Sequence, residues 1–406
     1  MEEYEKKLNI TTAEQVLAVL LGGFAASIFF TKTGISVFGL ASMALILIWK
    51  YIVKYEQKNF IPKSVFILTM LFFLDLVVSA AMSNNYRWSF SELGKYRHIL
   101  LGGLVFIAPL TQKNRKKIII VFFASAALDA FAGVLQYFDI LYKAYDRPHG
   151  YSTHPILFAA DLAFACGPAL VMLFIRNNIF VSTREKYFLL VIAALTFVGI
   201  ILSQSRGVWI ALFVAGTATV FLYSWRKALI FALALIIFFI MLVSASGTLR
   251  ERAVSIVTSA HTETIMGSTG NRLELWKGAI IMFKEHPLLG TGYGDFESAI
   301  DKLVAEQKVN SMPDRIYAHN IFLQVLATRG MIGFIILMGL FIAIIVWGKE
   351  KSKNQQMGGY IIILSTLLTM VGGLTENNIE IHRFLAAYAL TLGLIGSNQE
   401  TANLDI

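Results

Sequence analysis

The stretch YFLLVIAALTFVGIILSQSRGVWIALFVAGTATVFLYSW (residues 187–225) decides the fold. Sixteen residues before Ser203 and nineteen after Arg206 carry no charge. Each run approaches the length of about 20 residues that a membrane-spanning helix needs. Only four residues, 203–206, separate the two runs. The pattern predicts two membrane helices joined by a tight turn, and it raises the question of why an arginine lies in that turn.

The rest of the chain has the same character. Its 406 residues are 56% hydrophobic and only 15% charged, with a mean hydropathy of +0.65, whereas soluble domains are about half apolar and about a quarter charged. We therefore predict an all-α polytopic membrane protein with about twelve transmembrane helices and one long, partly helical outer loop. The helices are predicted near residues 15–30, 35–53, 64–82, 98–110, 117–138, 155–175, 187–202, 207–225, 228–245, 330–347, 358–374 and 384–396.

This map divides the chain into three parts. Residues 1–245 hold the first nine helices, residues 246–329 form the long loop, and residues 330–406 hold the last three helices. The helix at 330–347 is the one whose start is least defined, because a preceding amphipathic helix outside the membrane would give the same pattern.

The distribution of lysine and arginine orients the chain. With a cytoplasmic N-terminus, eighteen of these residues fall in cytoplasmic segments and eight in short loops on the opposite face. The positive-inside rule favours this arrangement. The other nine lie in the long loop, and long loops cross membranes largely regardless of their charge. Both termini are thus predicted to be cytoplasmic, and the long loop and the 203–206 turn to face the outer compartment.

Several other functions are disfavoured. The net charge of +9 does not indicate nucleic acid, because no basic run is interleaved with stacking aromatic residues. The single cysteine, Cys166, excludes an intramolecular disulfide. His149 and His154 have a separation seen in metal sites but no third ligand nearby, so no metal site is predicted. GTGYG (residues 290–294) lacks the pattern of a nucleotide-binding loop and predicts a turn that returns the chain to the membrane.

Four arginines are predicted on the outer face: Arg147, Arg206, Arg272 and Arg315. Arginine near membrane level is costly unless it meets an anion or a water-filled cavity. Its planar guanidinium group matches phosphate oxygens, so four converging arginines would suit a pyrophosphate. The alternative is that each side chain extends to lipid headgroups. Asp161, near the outer end of its helix, could orient one of these arginines.

The long loop is predicted to contain an amphipathic helix. Leu273, Trp276, Ile280 and Phe283 recur at helical spacing, and Pro287 follows as a helix terminator. Such a helix could lie on the outer leaflet.

His319 and Asn320 are predicted to begin a second helix of this loop. A neutral imidazole at that position can act as a general base. The alternative is a histidine that only forms a hydrogen bond within the loop.

Together, these residues make the chain resemble the O-antigen ligase family of bacterial envelope enzymes. The most specific element is His319 and Asn320 followed by Gly330 and Gly333. SRG at 205–207, NRLELW at 271–276 and GTGYGDF at 290–296 are also similar to the family. The resemblance covers nearly the whole chain and its topology.

The resemblance implies a GT-C-like glycosyltransferase of the bacterial inner membrane. It would transfer a glycan from undecaprenyl pyrophosphate onto lipid A–core at the periplasmic face, with inversion and without a metal or other cofactor. His319 would be the base that deprotonates the acceptor hydroxyl. Arg206, Arg272 and Arg315 would bind the pyrophosphate, with Arg147 as a fourth.

Asn320, Asp161 and Asp295 are candidate supporting residues for this site. Asp295, in the glycine-rich turn, would be the next candidate for the base if it were not His319.

Three alternatives stay open from the sequence. An O-antigen or exopolysaccharide polymerase would use the same donor with a growing glycan as acceptor, but the spacing after His319 and Asn320 favours a ligase. A protein O-oligosaccharyltransferase usually has a larger C-terminal outer domain. A transporter or flippase would explain acids within apolar runs, namely Asp75, Asp129 and Asp161, although such acids can instead pair with polar neighbours.

Overall fold

The architecture comes from a computed structural model of the chain. It describes residues 2–53, 60–175, 179–244, 268–312, 315–353 and 356–397, with Gly247, Arg250 and Glu251. Residues 252–267 of the long loop and 398–406 of the predicted cytoplasmic C-terminus lie outside the described residues. Within the described residues every regular element is helical, so the all-α class is confirmed.

Ten α-helices of the described residues precede the long loop. They are α1 (Glu2–Phe30), α2 (Lys32–Val53), α3 (Lys63–Ala81), α4 (Tyr86–Glu92), α5 (Arg97–Ile107), α6 (Gln112–Tyr137), α7 (Pro155–Phe174), α8 (Thr183–Leu202), α9 (Arg206–Tyr223) and α10 (Trp225–Ser244). A short 3₁₀ helix, Leu93–Tyr96, links α4 to α5.

The later helices are α11 (Ser268–Glu285), α12 (Phe296–Ala305), α13 (Ile321–Lys353), α14 (Met357–Gly372) and α15 (His382–Leu390). A 3₁₀ turn, Asn378–Glu380, precedes α15, and a π-helical turn, Thr391–Ile395, continues it.

Many of these helices are long and apolar enough to cross a membrane. Among the described residues there are eight: Thr11–Phe30, Lys32–Trp49, Lys63–Ala81, Gln112–Tyr137, Pro155–Phe174, Thr183–Leu202, Arg206–Tyr223 and Ile321–Lys353. Met357–Gly372 and His382–Ile395 are shorter apolar helices. A polytopic membrane protein is therefore confirmed, but not the count of twelve. The predicted helix at 98–110, for example, is only the 11-residue α5, short of a full span.

Residues 187–225 form the predicted helical hairpin. Helix α8 ends at Leu202 and α9 begins at Arg206. Between them Gln204 has a left-handed backbone, with φ of 58°, which reverses the chain. The indole N–H of Trp209 donates to the carbonyl of Ile200 at 2.9 Å and fastens the two helices together. Arg206 is thus held at a fixed place at one end of the hairpin.

Helix α7 lies at the centre of the bundle. Most of its 20 residues are buried, because it packs against α8, α9, α14 and α15. Its N-terminal end, which Pro155 begins as predicted, therefore lies beside the starts of α9 and α15. The loop before α7, the turn before α9 and the segment before α15 therefore meet at the N-terminal end of α7.

The three acids within apolar runs all have protein partners. Asp75 pairs with Arg329, Asp129 accepts a hydrogen bond from the backbone N–H of Tyr151, and Asp161 pairs with Arg383. All three carboxylates are buried. Asp75 and Asp161 pair with arginines, as buried charges in proteins generally do, and Asp129 accepts a backbone hydrogen bond. These contacts favour a structural role for the three acids.

The Arg329–Asp75 pair leads to a stability prediction. Arg329 Nε lies 2.6 Å from Asp75 Oδ2, and the two side chains are 2% and 7% exposed. Arg329→Met leaves the carboxylate buried and unpaired, so we expect a loss of about 3–5 kcal/mol in the free energy of unfolding. The midpoint of thermal unfolding in detergent measures this effect.

Lys302→Met is the matched control for that variant. Lys302 and Glu306 form an ion pair at 4.0 Å with side chains 73% and 37% exposed, and exposed pairs of this kind contribute little to stability. The double variant Asp75→Leu/Arg329→Met should recover much of the lost stability, because no unpaired charge remains. An unchanged midpoint in Arg329→Met would show that the pair does not stabilise the fold.

Helix α13 is broken near its start. Gly330 has φ of 65° and ψ of −164°, a conformation that favours glycine, and a Cβ there would lie 2.3 Å from the Leu288 backbone. The segment before the break is the helix that His319 and Asn320 precede, and the segment after it is the predicted span. A helix therefore does precede residues 330–347, but its amphipathic character and its place outside the membrane stay predictions.

The glycine-rich stretch GTGYG is a turn, as predicted. Gly290, Gly292 and Gly294 all have positive φ. The backbone N–H groups of Thr291 and Gly292 donate to the carbonyls just before the α13 break, and those of Met331 and Ile332, just after it, donate back to residues 287 and 288. The turn therefore holds both sides of the break.

The predicted amphipathic helix coincides with α11. Leu273 and Ile280, on the face predicted to be apolar, are 57% and 44% exposed. A second face, formed by Leu275, Ala279 and Met282, is buried and packs on residues of α12 and α13. Apolar residues thus recur at helical spacing on both faces of the helix. The position of the Leu273 face on the outer leaflet stays a prediction.

Candidate active site

His319 is held just ahead of α13 by its neighbour. The Asn320 side-chain oxygen accepts hydrogen bonds from the backbone N–H groups of Phe322 and Leu323, at 2.9 and 3.1 Å, as a helix N-cap does. The Asn320 amide donates to the carbonyl of Leu374 at 3.2 Å. His319 itself has φ of 48°, a strained conformation for a non-glycine residue that is common at functional sites. The predicted supporting role of Asn320 thus has a structural basis, since it fixes the backbone beside the histidine.

A carboxylate that was not predicted lies against the imidazole. Nδ1 of His319 is 3.0 Å from Oε2 of Glu376, whose other oxygen is 2.5 Å from Nη2 of Arg272. When Nδ1–H donates to the carboxylate, Nε2 is the basic nitrogen of the ring. The chain Arg272–Glu376–His319 therefore orients the histidine in the tautomer that a general base requires.

Three of the predicted arginines line one cavity. This arginine cavity has a volume of about 290 Å³, and Arg147, Arg206, Arg272 and Glu376 are among its lining residues. The three guanidinium groups come from the loop before α7, the start of α9 and helix α11, respectively. One acid faces three arginines there, so the cavity carries an excess of positive charge that suits a small, multiply charged anion.

The glycine after Arg206 brings Glu376 to this cavity. A Cβ on Gly207 would lie 2.1 Å from Oγ1 of Thr375, so the Thr375 side chain packs in the space that a larger residue at position 207 would occupy. Residues 373–381, which link α14 to α15, are here called the 373–381 segment. Its contact with Gly207 places Arg206 and Glu376 in one site although they lie 170 residues apart in the sequence.

The far end of the 373–381 segment is anchored by buried charges. Glu380 Oε2 lies 3.9 Å from Lys95 Nζ, which also lies 3.1 Å from Oε2 of Glu92. Burial raises the pKa of Glu380, and the Lys95 ammonium opposes that rise. The segment is thus fixed at both ends, with Glu376 between them.

Arg315 is not brought together with the other three arginines. Its Nε lies 2.5 Å from Oδ1 of Asp301 on α12, and an Nη1–H donates to the carbonyl of Met312 at 3.2 Å. Arg315 is not among the residues that line the arginine cavity. Its predicted contact with pyrophosphate therefore has no support from its position in this structure.

The other two candidate supporting residues have structural partners. Asp161 Oδ2 lies 3.2 Å from Nε of Arg383, so it pairs with an arginine, although not with one of the predicted four. Asp295 is buried and accepts hydrogen bonds from the Ser83 hydroxyl and from the backbone and side chain of Asn84. Its carboxylate holds the glycine-rich turn against the loop after α3.

The histidine pair considered for metal binding is engaged within its own loop. Nε2 of His149 accepts from the backbone N–H of Ala144 at 3.0 Å, and Nδ1 lies 2.8 Å from the carbonyl of Ser152. Nδ1 of His154 accepts from the backbone N–H of Ile156 and caps α7.

A family model described as O-antigen ligase matches residues 191–338, the part of the chain that holds Arg206, Arg272, Arg315 and His319. The resemblance to this family that the sequence predicted is therefore confirmed. Glu376 lies beyond the matched part.

Two relatives extend the likeness to the O-antigen ligase family. The chain is 24% identical over 344 residues to the O-antigen ligase of Salmonella typhimurium, which covers 79% of this chain and 80% of that protein. It is 25% identical over 270 residues to an uncharacterized protein of Haemophilus influenzae, which covers 64% of this chain and 66% of the relative. At these identities the likeness supports a membrane enzyme of the ligase and polymerase type.

Proposed function

We propose that this chain is a glycosyltransferase that moves a glycan from undecaprenyl pyrophosphate onto lipid A–core. The observation that carries the proposal is the arginine cavity, together with the histidine that Glu376 joins to it. Arginines alone would be enough to bind a phosphate group. The histidine at the edge of the cavity can in addition deprotonate an acceptor, and the family match supports this class of reaction.

The arginine cavity binds the donor through its pyrophosphate. Arg147, Arg206 and Arg272 present guanidinium donors from three separate elements, and guanidinium groups form short, charge-assisted hydrogen bonds to phosphate oxygens. During transfer the pyrophosphate leaves with an increased negative charge, so these arginines stabilise the transition state more than the ground state. Arg315 is given this role by the family resemblance alone.

His319 activates the acceptor. Its Nε2 takes the proton of an acceptor hydroxyl while the hydroxyl oxygen forms a bond to the anomeric carbon of the donor. The bond from that carbon to the pyrophosphate oxygen breaks, and undecaprenyl pyrophosphate leaves as an anion that needs no proton. Glu376 stabilises the imidazolium that forms. A single displacement of this kind inverts the anomeric configuration and assigns no role to a metal ion.

The reaction takes place at the periplasmic face of the inner membrane in this proposal, with both termini in the cytoplasm. Reporter fusions test the orientation directly. We expect a fusion at Gly270 of α11 to report a periplasmic location and a fusion at Ser352, near the end of α13, to report a cytoplasmic one. A cytoplasmic signal at Gly270 would contradict the mechanism, because it would separate His319 from an acceptor outside.

A purified system tests the activity. The enzyme is incubated with a lipid-linked glycan and either lipid A–core or a free glycan acceptor, with and without EDTA. We expect transfer to lipid A–core, inverted at the new linkage by NMR, and unaffected by the chelator. Transfer only to the free glycan would assign the chain to the polymerases instead. Loss of activity in EDTA that a divalent ion restores would refute the metal-independent mechanism.

A further inference from the structure

The residue just before His319 is held by two side chains from different helices. The indole N–H of Trp276, on α11, donates to the carbonyl of Ala318 at 3.0 Å. The side-chain oxygen of Gln324, on α13, accepts from the backbone N–H of Ala318 at 2.8 Å. Ala318 is fully buried and Gln324 is 2% exposed. Side chains therefore satisfy both backbone groups of Ala318 in the protein interior.

These two bonds fix the peptide groups on either side of Ala318. Its carbonyl belongs to the peptide group shared with His319, and its N–H belongs to the one shared with Tyr317. A peptide group is planar, so a hydrogen bond to its oxygen or its N–H orients the whole group. The left-handed backbone of His319, with φ of 48°, follows the peptide plane that Trp276 holds. A conformation of this kind persists only with support from the surrounding structure.

Helix α11 also carries one of the arginines of the arginine cavity. Arg272 and Trp276 lie four residues apart and therefore on the same face of the helix. Arg272 lines the cavity and pairs with Glu376, whose other oxygen contacts Nδ1 of His319. One helical turn later, Trp276 bonds to the carbonyl that precedes the same histidine. One face of α11 thus acts on His319 in two ways, through its ring and through its backbone.

Packing keeps α11 in place relative to the histidine. Leu275, Ala279 and Met282 of α11 belong to one buried cluster with Ala318. Protein interiors are close-packed and tolerate little displacement of their side chains. The position of His319 relative to Arg272 is therefore set by a packed core and two hydrogen-bonded contacts.

We propose that Trp276 and Gln324 are positioning residues for glycan transfer, and that α11 sets the place of the general base relative to the pyrophosphate. The inference rests on the proposed function, since it takes His319 as the base and the arginine cavity as the donor site. Both side chains act through the backbone at Ala318. Because a small displacement of a catalytic group lowers the rate strongly, their loss should slow the chemical step and leave donor binding intact.

Trp276→Phe tests this role, because it keeps an aromatic ring and removes the N–H donor. With purified full-length enzyme, lipid-linked donor and lipid A–core, we expect kcat to fall about tenfold, the effect of one lost hydrogen bond. The KM for the donor should not change, because Arg272 stays in the cavity. Gln324→Met, which removes the acceptor oxygen, should also lower kcat. Trp347→Phe, towards the other end of α13, is the matched control and should keep the wild-type kcat.

A second comparison separates positioning of the base from a general effect on the fold. In the His319→Ala background, Trp276→Phe should cause little further loss of residual transfer, because it acts through the missing imidazole. An equal loss in both backgrounds would overturn the inference, as would an unchanged kcat in Trp276→Phe. A higher KM for the donor at unchanged kcat would also overturn it, since Trp276 would then serve donor binding. By contrast, His319→Ala at the wild-type rate would refute the proposed base itself.

Discussion

His319→Ala is expected to lower the rate of glycan transfer by about 10²–10⁴-fold, the usual contribution of a positioned general base. Binding of the donor should persist, because the arginine cavity is formed by other residues. The acceptor hydroxyl is a poor nucleophile while it keeps its proton, so kcat should fall more than KM rises. Initial rates with purified enzyme and lipid-linked donor, together with donor binding by direct titration, measure the two effects separately. A His319→Ala variant that transfers at the wild-type rate would contradict this prediction and place the base elsewhere.

Glu376 provides the matched control for the histidine. Its carboxylate accepts from Nδ1 and touches no reacting atom, so Glu376→Gln is expected to reduce transfer less than His319→Ala does. In the His319→Ala background the same change should have little further effect, because residues that act as a unit are not additive. Fully additive losses would show that Glu376 acts independently of His319.

Arg206→Ala and Arg272→Ala are expected to give the second largest loss. A hydrogen bond to a charged group contributes about 1.5–3 kcal/mol, so each variant should lose roughly 10–100-fold in kcat/KM. Lysine at either position should rescue only part of the activity, because it lacks the bidentate geometry of the guanidinium group. Transfer assays at matched membrane levels measure these losses.

The two arginines should differ in one respect. Arg272 also pairs with Glu376, so its loss disturbs the orientation of His319 as well as the phosphate contact. We therefore expect Arg272→Ala to lower kcat more than Arg206→Ala does. Arg87→Ala, in an exposed part of α4, should retain wild-type activity. Wild-type activity in both Arg206→Ala and Arg272→Ala would instead favour the alternative in which these arginines contact lipid headgroups.

The sequence predicted the features that depend on local pattern. Hydrophobic periodicity predicted the 187–225 hairpin, because both helices and the reversal lie within one stretch. The glycine-rich turn at 290–294 and the helix after His319 were also predicted, since glycine conformations and helix starts leave a signal in neighbouring residues.

Contacts between residues that are far apart in the sequence could not be predicted in this way. Glu376 lies 57 residues from His319, in a polar stretch between two apolar helices. No functional role was predicted for this stretch. The available sign was Glu376 itself, an acid in the polar stretch TENNIE (residues 375–380). Arg315 shows the converse problem: its charge suggested phosphate binding, but whether it meets a phosphate or Asp301 depends on where α12 packs.

The break at Gly330 has a consequence for how the last long span is held together. A helix that breaks near a membrane loses backbone partners, and unsatisfied polar groups cost several kcal/mol where water is excluded. Residues 287–292 replace those partners on both sides of the break. This turn, about forty residues earlier in the chain, therefore joins the two parts of α13 by backbone hydrogen bonds. A deletion in that short turn would therefore destabilise α13, a membrane helix that is distant from the turn in the sequence.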